Sequence, residues 1–192
     1  ALGGLKGQLG SSLGFDVYVS HGKTTQDSRT FNQISRSRFN QVVSAADGGA
    51  GLCEGGYDPF GFGPASQSCS DFLTFDTANR FTFEQTVVQG NLNGQMFALP
   101  GGTAGFAVGA EYRRNSYDAA IDPRLNPQPT GVPGVTAAPE ALGTSGQSSS
   151  GGDIAVSEIY GEILLPVLRG LEFDLAYRYS DYDRIGGVHT YK

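Results

Sequence analysis

"LEFDLAYRYSDYDRIGG" (171–187) alternates two residues at a time. Leu171, Phe173, Leu175, Tyr177 and Tyr179 fall on one side, and Glu172, Asp174, Ala176, Arg178 and Ser180 on the other. That period belongs to a strand, so the stretch is expected to be extended throughout. Two settings fit the pattern. In a water-soluble sandwich the apolar side faces a core. In an outer-membrane barrel it faces lipid, and the charged side faces the lumen.

Five further segments read as strands, at about 2–9, 15–24, 81–99, 103–115 and 154–165. In the second, Phe15, Val17 and Val19 oppose Asp16, Tyr18 and Ser20. In the third, Val88, Leu92, Met96 and Ala98 oppose Gln85, Gln89, Asn91, Asn93 and Gln95. Phe106, Val108, Ala110 and Tyr112 oppose Glu111 and Arg113 in the fourth, and Ile159, Ile163 and Leu165 oppose Glu158 and Glu162 in the fifth. Several of these runs reach ten residues or more, against about five or six for an average soluble strand, and that length suits a tilted membrane crossing.

The connections separate the two settings better than the strands do. Three are short: "GSSLG" (10–14), "PGG" (100–102) and "PVLRG" (166–170). Two are long, about 31–80 and about 116–153. They occur as short, long, short, long, short. In an up-and-down meander this places every tight turn at one end and every long loop at the other, the layout of a barrel with short periplasmic turns and long extracellular loops. The fold class expected is therefore all-β, an antiparallel meander of about six strands from a large outer-membrane barrel.

Charge distribution agrees. Glu111, Arg113, Glu158, Glu162, Glu172, Asp174 and Arg178 all lie opposite the apolar residues, which in a barrel makes them lumen-facing. A charge on the lipid face costs about 2–4 kcal/mol at mid-membrane, so charges should collect inside. In a sandwich the same residues would be ordinary solvent-facing charges. Their expected role is cross-strand pairing more than ligand contact. Tyr177, Tyr179, Tyr182 and Tyr191 lie where the last strand should leave the membrane and could form part of an aromatic girdle.

Composition bounds the rest. The 192 residues include 29 Gly, 12 Phe and 9 Tyr but no Trp, a mix that suits strands and turns better than helices. A net charge of −6 argues against a nucleic-acid partner, which needs clustered Lys and Arg. No stretch is long and apolar enough for a transmembrane helix, which leaves a strand-built membrane protein open. The chain opens and closes inside patterned segments, which predicts a piece of something longer or a processed product.

Cys53 and Cys69 sit in one Gly/Ser/Pro-rich stretch. A bridge between them would stabilise the closed loop by roughly 3 kcal/mol in the chain-entropy model and implies an oxidising compartment; the alternative is two unrelated free thiols. His21 and His189 lie too far off in sequence to complete a zinc site with them, so no metal and no cofactor is expected. Within the first long loop, 31–47 suggests a short helix and 68–76 another turn. The stretch 124–152 has linker composition and should be mobile. The Gly-rich stretches "GAGLCEGG" (49–56) and "GGTAGFAVGAE" (101–111) lack the strand–GxGxxG–helix context of a nucleotide site.

Several motifs resemble one family. "FDVYVSHGKT" (15–24) looks like the strand segment that opens the barrel half of many TonB-dependent outer-membrane receptors. "GLCEGGYDPFGFG" (51–63) with "DFL" (71–73) resembles the Cys-containing Pro/Phe/Gly loop of one branch of them. "GQMFALPGGTAGFAVGAEYRRNSY" (94–117) resembles the family's strand, Leu-Pro-Gly turn and Gly-Glu-Tyr-Arg strand. "VSEIYGEILLPVL" (156–168) and "LAYRYSDYDRIGGVHTYK" (175–192) match the next hairpin in type and order. The resemblance implies a barrel of about 22 strands with a plug in its lumen, in the outer membrane of a Gram-negative bacterium. It implies import of a scarce small-molecule or oligosaccharide ligand (siderophore, cobalamin or oligosaccharide type), energised through a TonB contact. The partners implied are outer-membrane lipid, the TonB complex acting through the plug, and the ligand. The plug is not in this sequence, and six strands cannot close such a barrel. On this reading the long loops form the outer vestibule, with Tyr57, Phe60, Phe62 and Arg124 as candidate ligand contacts.

Two other functions remain. A passive porin-type channel shares the strand chemistry. A secreted all-β carbohydrate-binding or hydrolytic domain would use "YSDYD" (179–183) with Glu158 and Glu162, but those carboxylates are four residues apart on one strand, about 13 Å, too far for the usual glycosidase pair. An enzyme is therefore not expected.

Overall fold

The computed structural model describes residues 1–129 and 137–192. Seven strands form one sheet in chain order, without crossover: β1 (Leu2–Leu9), β2 (Leu13–Ile34), β3 (Thr74–Leu99), β4 (Gly102–Ala120), β5 (Ser150–Leu168), β6 (Leu171–Tyr182) and β7 (Gly186–Tyr191). Pairing is antiparallel, with Leu5 opposite Val17, Ile163 opposite Leu175 and Tyr179 opposite His189. The expected all-β antiparallel meander is what the chain forms, as an open sheet.

Two expectations change. The opening stretch is not one strand. It breaks after Tyr182, where the Ile185 N–H donates to the Tyr182 carbonyl and Gly186 takes a left-handed φ of 86°. The alternation ends at Ser180, and "DRIGG" carries the turn, so the sheet has a seventh strand. The strands are also longer than their patterned cores, at 22, 26, 19 and 19 residues for β2 to β5. The long connections therefore shrink to 35–73 and 121–149. The additions, such as "TTQDSRTFNQI" (24–34), show no apolar alternation and so left no period to read. Polar cross-strand contacts join them instead: Arg80 Nε donates to Asp27 Oδ1 at 2.6 Å, and the Asn32 N–H to Asp76 Oδ1 at 3.1 Å.

By internal packing the chain divides into two units. The first comprises Ala1–Thr24, Thr82–Tyr117 and Gly151–Lys192. Here the period of two sorts side chains onto two faces, and the apolar face is open. Leu5, Val17, Val19, Val88, Met96, Val108, Tyr112, Ile159, Ile163, Phe173, Leu175 and Tyr177 are each 41–75% exposed. All seven strands belong to the one sheet, so no second sheet covers this face among the described residues. The opposite face is polar and better buried. There Gly109 leaves room for the Tyr160 ring, which a Cβ would meet at 2.4 Å.

The second unit comprises Thr25–Phe81 and Asp118–Ser150. It has a small conventional core of Ile121, Leu125 and Ala141, with Phe75 against it. Its helices start where the sequence supplies caps. Ser35 Oγ accepts the Arg38 N–H ahead of α1 (Arg36–Ser44), inside the stretch expected to be helical. Ser66 Oγ accepts the Cys69 N–H ahead of α2 (Gln67–Leu73), where only a turn was expected. Such a cap contributes about 1 kcal/mol. The linker reading of 124–152 does not hold for its described part. Leu125 and Ala141 are buried, the Gln128 and Ala138 backbones exchange hydrogen bonds, and Arg36 N–H donates to the Glu140 carbonyl at 2.7 Å. "TGVPGVT" (130–136) lies outside the described residues.

Replacing Gly109 with Val should displace Tyr160 from the polar face. The expected loss is about 1–3 kcal/mol of stability, as for other overpacked sites, measured by chemical denaturation. An unchanged midpoint would show that the ring tolerates the side chain.

Candidate functional site

The polar face of the first unit carries a connected network. The Tyr18 hydroxyl donates to Gln89 Oε1 at 2.5 Å. Gln89 Nε2 donates to the Tyr160 hydroxyl at 2.8 Å, and the Tyr160 hydroxyl donates to Asn91 Oδ1. The Arg178 guanidinium lies 5.0 Å from the Tyr160 ring centroid, within cation–π range. It also reaches Glu158 Oε2 at 3.5 Å, while Ser180 Oγ donates to Glu158 Oε1 at 2.5 Å. Glu158 is only 6% exposed, so these partners satisfy a carboxylate that burial would otherwise penalise. Strand register builds this arrangement, because Glu158 faces Ser180 and Tyr160 faces Arg178 on the neighbouring strand. A hollow of about 270 Å³ on the same face is lined by Tyr160, Glu162, Ala176, Arg178, Thr190 and Lys192, with others.

The candidate lumen residues share that face but act in separate groups. Glu158 and Arg178 pair across β5 and β6. Glu162 faces Ala176, and Asp174 pairs with Lys192. Glu172 lies opposite Pro166. Glu111 and Arg113 are neighbours on β4, with Arg113 Nη1 3.5 Å from Glu111 Oε1. Among the aromatics, Tyr177 and Tyr179 flank His189 on the apolar face, at centroid distances of 6.0 and 4.8 Å. Tyr191 joins them in register opposite Tyr177. Tyr182 pairs with Val156 one step out of phase, so it belongs to the other face. A girdle expected to hold four tyrosines thus has three on one side. The amides of Gln89 and Asn91 were visible as a polar row; their convergence on Tyr160 was not, because it depends on which strands are neighbours.

In the second unit, Cys53 and Cys69 are joined in a disulfide and buried. The bridge closes the loop that holds "YDPFGFG" (57–63). Tyr57 packs edge-on against Phe39 with centroids 6.0 Å apart, and Asp58 Oδ1 accepts the Phe60 N–H at 2.9 Å. Phe60 is 90% exposed and Phe62 fully so. Arg124 sits elsewhere and is engaged within the protein. It donates to Asp122 Oδ1 at 2.9 Å and to the Asp76 carbonyl at 2.5 Å, and lies 4.6 Å from the Phe75 ring centroid. The Arg124 side chain is the main cause holding the Asp122 carboxyl down at about 2; burial opposes it, and the Arg124 and Ala78 N–H groups add to it. Burial works against the charged form of Glu140, but hydrogen bonds from Ser35 and Ser37 outweigh it and keep that carboxyl below its usual range. Among the described residues, no group of three or more His, Cys, Asp or Glu is placed to hold a metal.

Chemically, the polar face offers aromatic, amide, hydroxyl and ionic groups for contact. Comparison with protein-family models gives no match, and comparisons with curated proteins and with solved structures give none either.

Two outcomes follow for the second unit. Because the Asp122 carboxyl is held below its unfolded value of about 3.9, its stabilising contribution is complete above about pH 4 and lost as pH falls toward 2. Limited acid proteolysis should find 118–129 protected at pH 5 and cut at pH 2. Asp122→Asn should be cut more readily at pH 5 and show a weaker change with pH. Replacing both cysteines with Ser should cost up to about 3 kcal/mol and speed cleavage within 54–68, leaving strand content by circular dichroism unaltered.

Proposed function

We propose that this chain is part of the wall of an outer-membrane β-barrel of the TonB-dependent receptor type, which binds and imports a scarce ligand and is not an enzyme. One observation carries the membrane reading: a continuous face of exposed apolar side chains, opposite a polar and better-buried face. Monomeric soluble proteins rarely leave so large an apolar patch uncovered. A soluble sandwich would lay a second sheet across it.

The dimensions support a bilayer. From Val88 to Ala98 the apolar side of β3 spans roughly 33 Å at about 3.3 Å per residue. A strand tilt of about 40° turns that into a height of roughly 25 Å, the apolar band of an outer-membrane barrel. Above it on the same face the side chains turn polar. Lys23 pairs with Glu84 at 2.7 Å, His21 Nδ1 meets Thr86 Oγ1 at 3.0 Å, and Arg114 pairs with Asp153 at 3.0 Å. Such a change at matching height on adjacent strands suits a lipid-to-water boundary. The free edges of β1 and β7 would pair with further strands of a barrel, since an open edge in lipid leaves backbone groups unsatisfied. The receptor part of the proposal rests on the motifs quoted above, and the polar network would face the lumen.

Arginine substitutions on the two faces test it. In refolding into lipid vesicles, Leu175→Arg should cost about 2–4 kcal/mol if its side chain meets lipid, and Thr190→Arg on the polar face far less. Equal costs, or a chain that folds in water without detergent or lipid, would overturn the membrane reading. The N-terminal sequence of the parent polypeptide then separates the functions. A globular domain ahead of the strands supports a gated receptor, and strands alone mean a passive channel.

A further inference from the structure

The disulfide-closed loop of the second unit holds two phenylalanine rings in the open. Its stems are fixed. Cys53 and Cys69 are bridged and buried, Ser66 Oγ donates to the Glu54 carbonyl at 2.6 Å, and the Glu54 N–H donates to Ser68 Oγ at 3.2 Å. The Tyr57 N–H donates to the Gly48 carbonyl at 2.9 Å, and the Tyr57 ring packs on Phe39. Between these anchors Asp58 Oδ1 accepts the Phe60 N–H, and the Asp58 carbonyl accepts the Gly61 N–H. Phe60 and Phe62 nevertheless stay 90% and fully exposed. They are two residues apart, so their backbones lie within about 7 Å of each other. Large apolar groups held in solvent by a fixed backbone mark a contact surface.

The charge around the rings is one-sided. From Phe39 to Asn79 the chain carries five carboxylates, Asp47, Glu54, Asp58, Asp71 and Asp76, and no Lys, Arg or His. The whole second unit holds nine acids and five arginines, a net charge of −4. Those arginines have partners elsewhere in the unit. Arg80 is engaged by Asp27, Arg124 by Asp122, Arg36 by the Pro139 carbonyl, and Arg38 by the Phe72 and Thr74 carbonyls. Arg29 lends its charge to Asp27 as well. The Gly51 and Gly49 N–H groups keep the Asp47 carboxyl below its usual range, so it stays ionised at neutral pH.

Rings and charge select the same ligand chemistry. The face of an aromatic ring attracts a cation. An excess of carboxylates raises the local concentration of cations and repels anions. We propose that loop 54–68 binds an organic cation, its charged head over the rings of Phe60 and Phe62 and within the field of the loop's carboxylates. The receptor reading leaves the charge of its ligand open. This site fixes it, and depends on that reading only for the ligand's being imported.

Calorimetric titration of the full chain, folded in uncharged detergent, tests the site with three probes of similar size: benzyltrimethylammonium, benzenesulfonate and benzyl alcohol. The cation should bind at least about tenfold more tightly than the other two, and more weakly as salt rises toward about 1 M. The F60A/F62A variant should lose that margin. F60Y/F62Y should keep it, because a tyrosine ring also attracts a cation. E54Q/D58N should weaken binding of the cation and leave benzyl alcohol unchanged. Variants are scored only when circular dichroism matches the parent and the disulfide is intact by mass. Equal binding of the cation and benzyl alcohol would mean an apolar contact alone and overturns the proposal. So does an unaffected F60A/F62A variant. Magnetisation transfer from Phe60 and Phe62 to the detergent chains also overturns it, because the rings would then insert into a membrane. A chain that folds without detergent fails the membrane reading, and the same titration in plain buffer then decides this site separately.

Discussion

Backbone pairing in a continuous antiparallel ladder is the constraint on which the rest depends. Once β5 and β6 are registered with Ile163 opposite Leu175, every side chain on both strands is assigned a face. A slip of one residue would exchange the two faces completely. The polar network and the exposed apolar face are therefore two results of one register. Glu158 can meet Ser180 and Arg178 only because Ile159 and Tyr179 point the other way.

The two units satisfy different physics. In the second, apolar side chains turn inward, helices are capped by serines, and a disulfide replaces core that a short irregular segment cannot supply. In the first, apolar side chains are exposed on one face of the sheet, and the other face carries tyrosines, amides and ions linked by hydrogen bonds. Such an inverted face is costly in water and favourable in lipid. A polar network also fixes geometry, as Tyr160 shows by depending on Gly109 for its position and on two other strands, β3 and β6, for its partners.

The readable parts of the sequence were those with a local signature. Phe15, Val17 and Val19 against Asp16, Tyr18 and Ser20 gave β2 its core, and "PGG" marked the β3–β4 turn. The misread parts lacked one. The stretch 24–34 extends β2 without alternation and is joined to its neighbour by Asp27–Arg80 and Asn32–Asp76. Residues 137–149 have linker composition, yet Glu140 and Ala141 are tied to the start of α1 by contacts more than a hundred positions apart in sequence. Arg124, a candidate ligand contact, meets Asp122, Asp76 and Phe75 while its side chain stays half exposed, a set of partners that no local pattern announces.

The sequence by itself determined the strand period, the order of the patterned strands and turns, and the division of apolar from charged side chains. These follow from residue types a few positions apart. The Cys53–Cys69 bridge is seen only in the structure. Tertiary structure alone decided where each strand stopped, that a turn at 183–185 made a seventh strand, and that Tyr18, Gln89, Asn91 and Tyr160 converge. Those outcomes depend on partners from distant strands. The energy that selects them is shared across the ladder, and no single segment contains it.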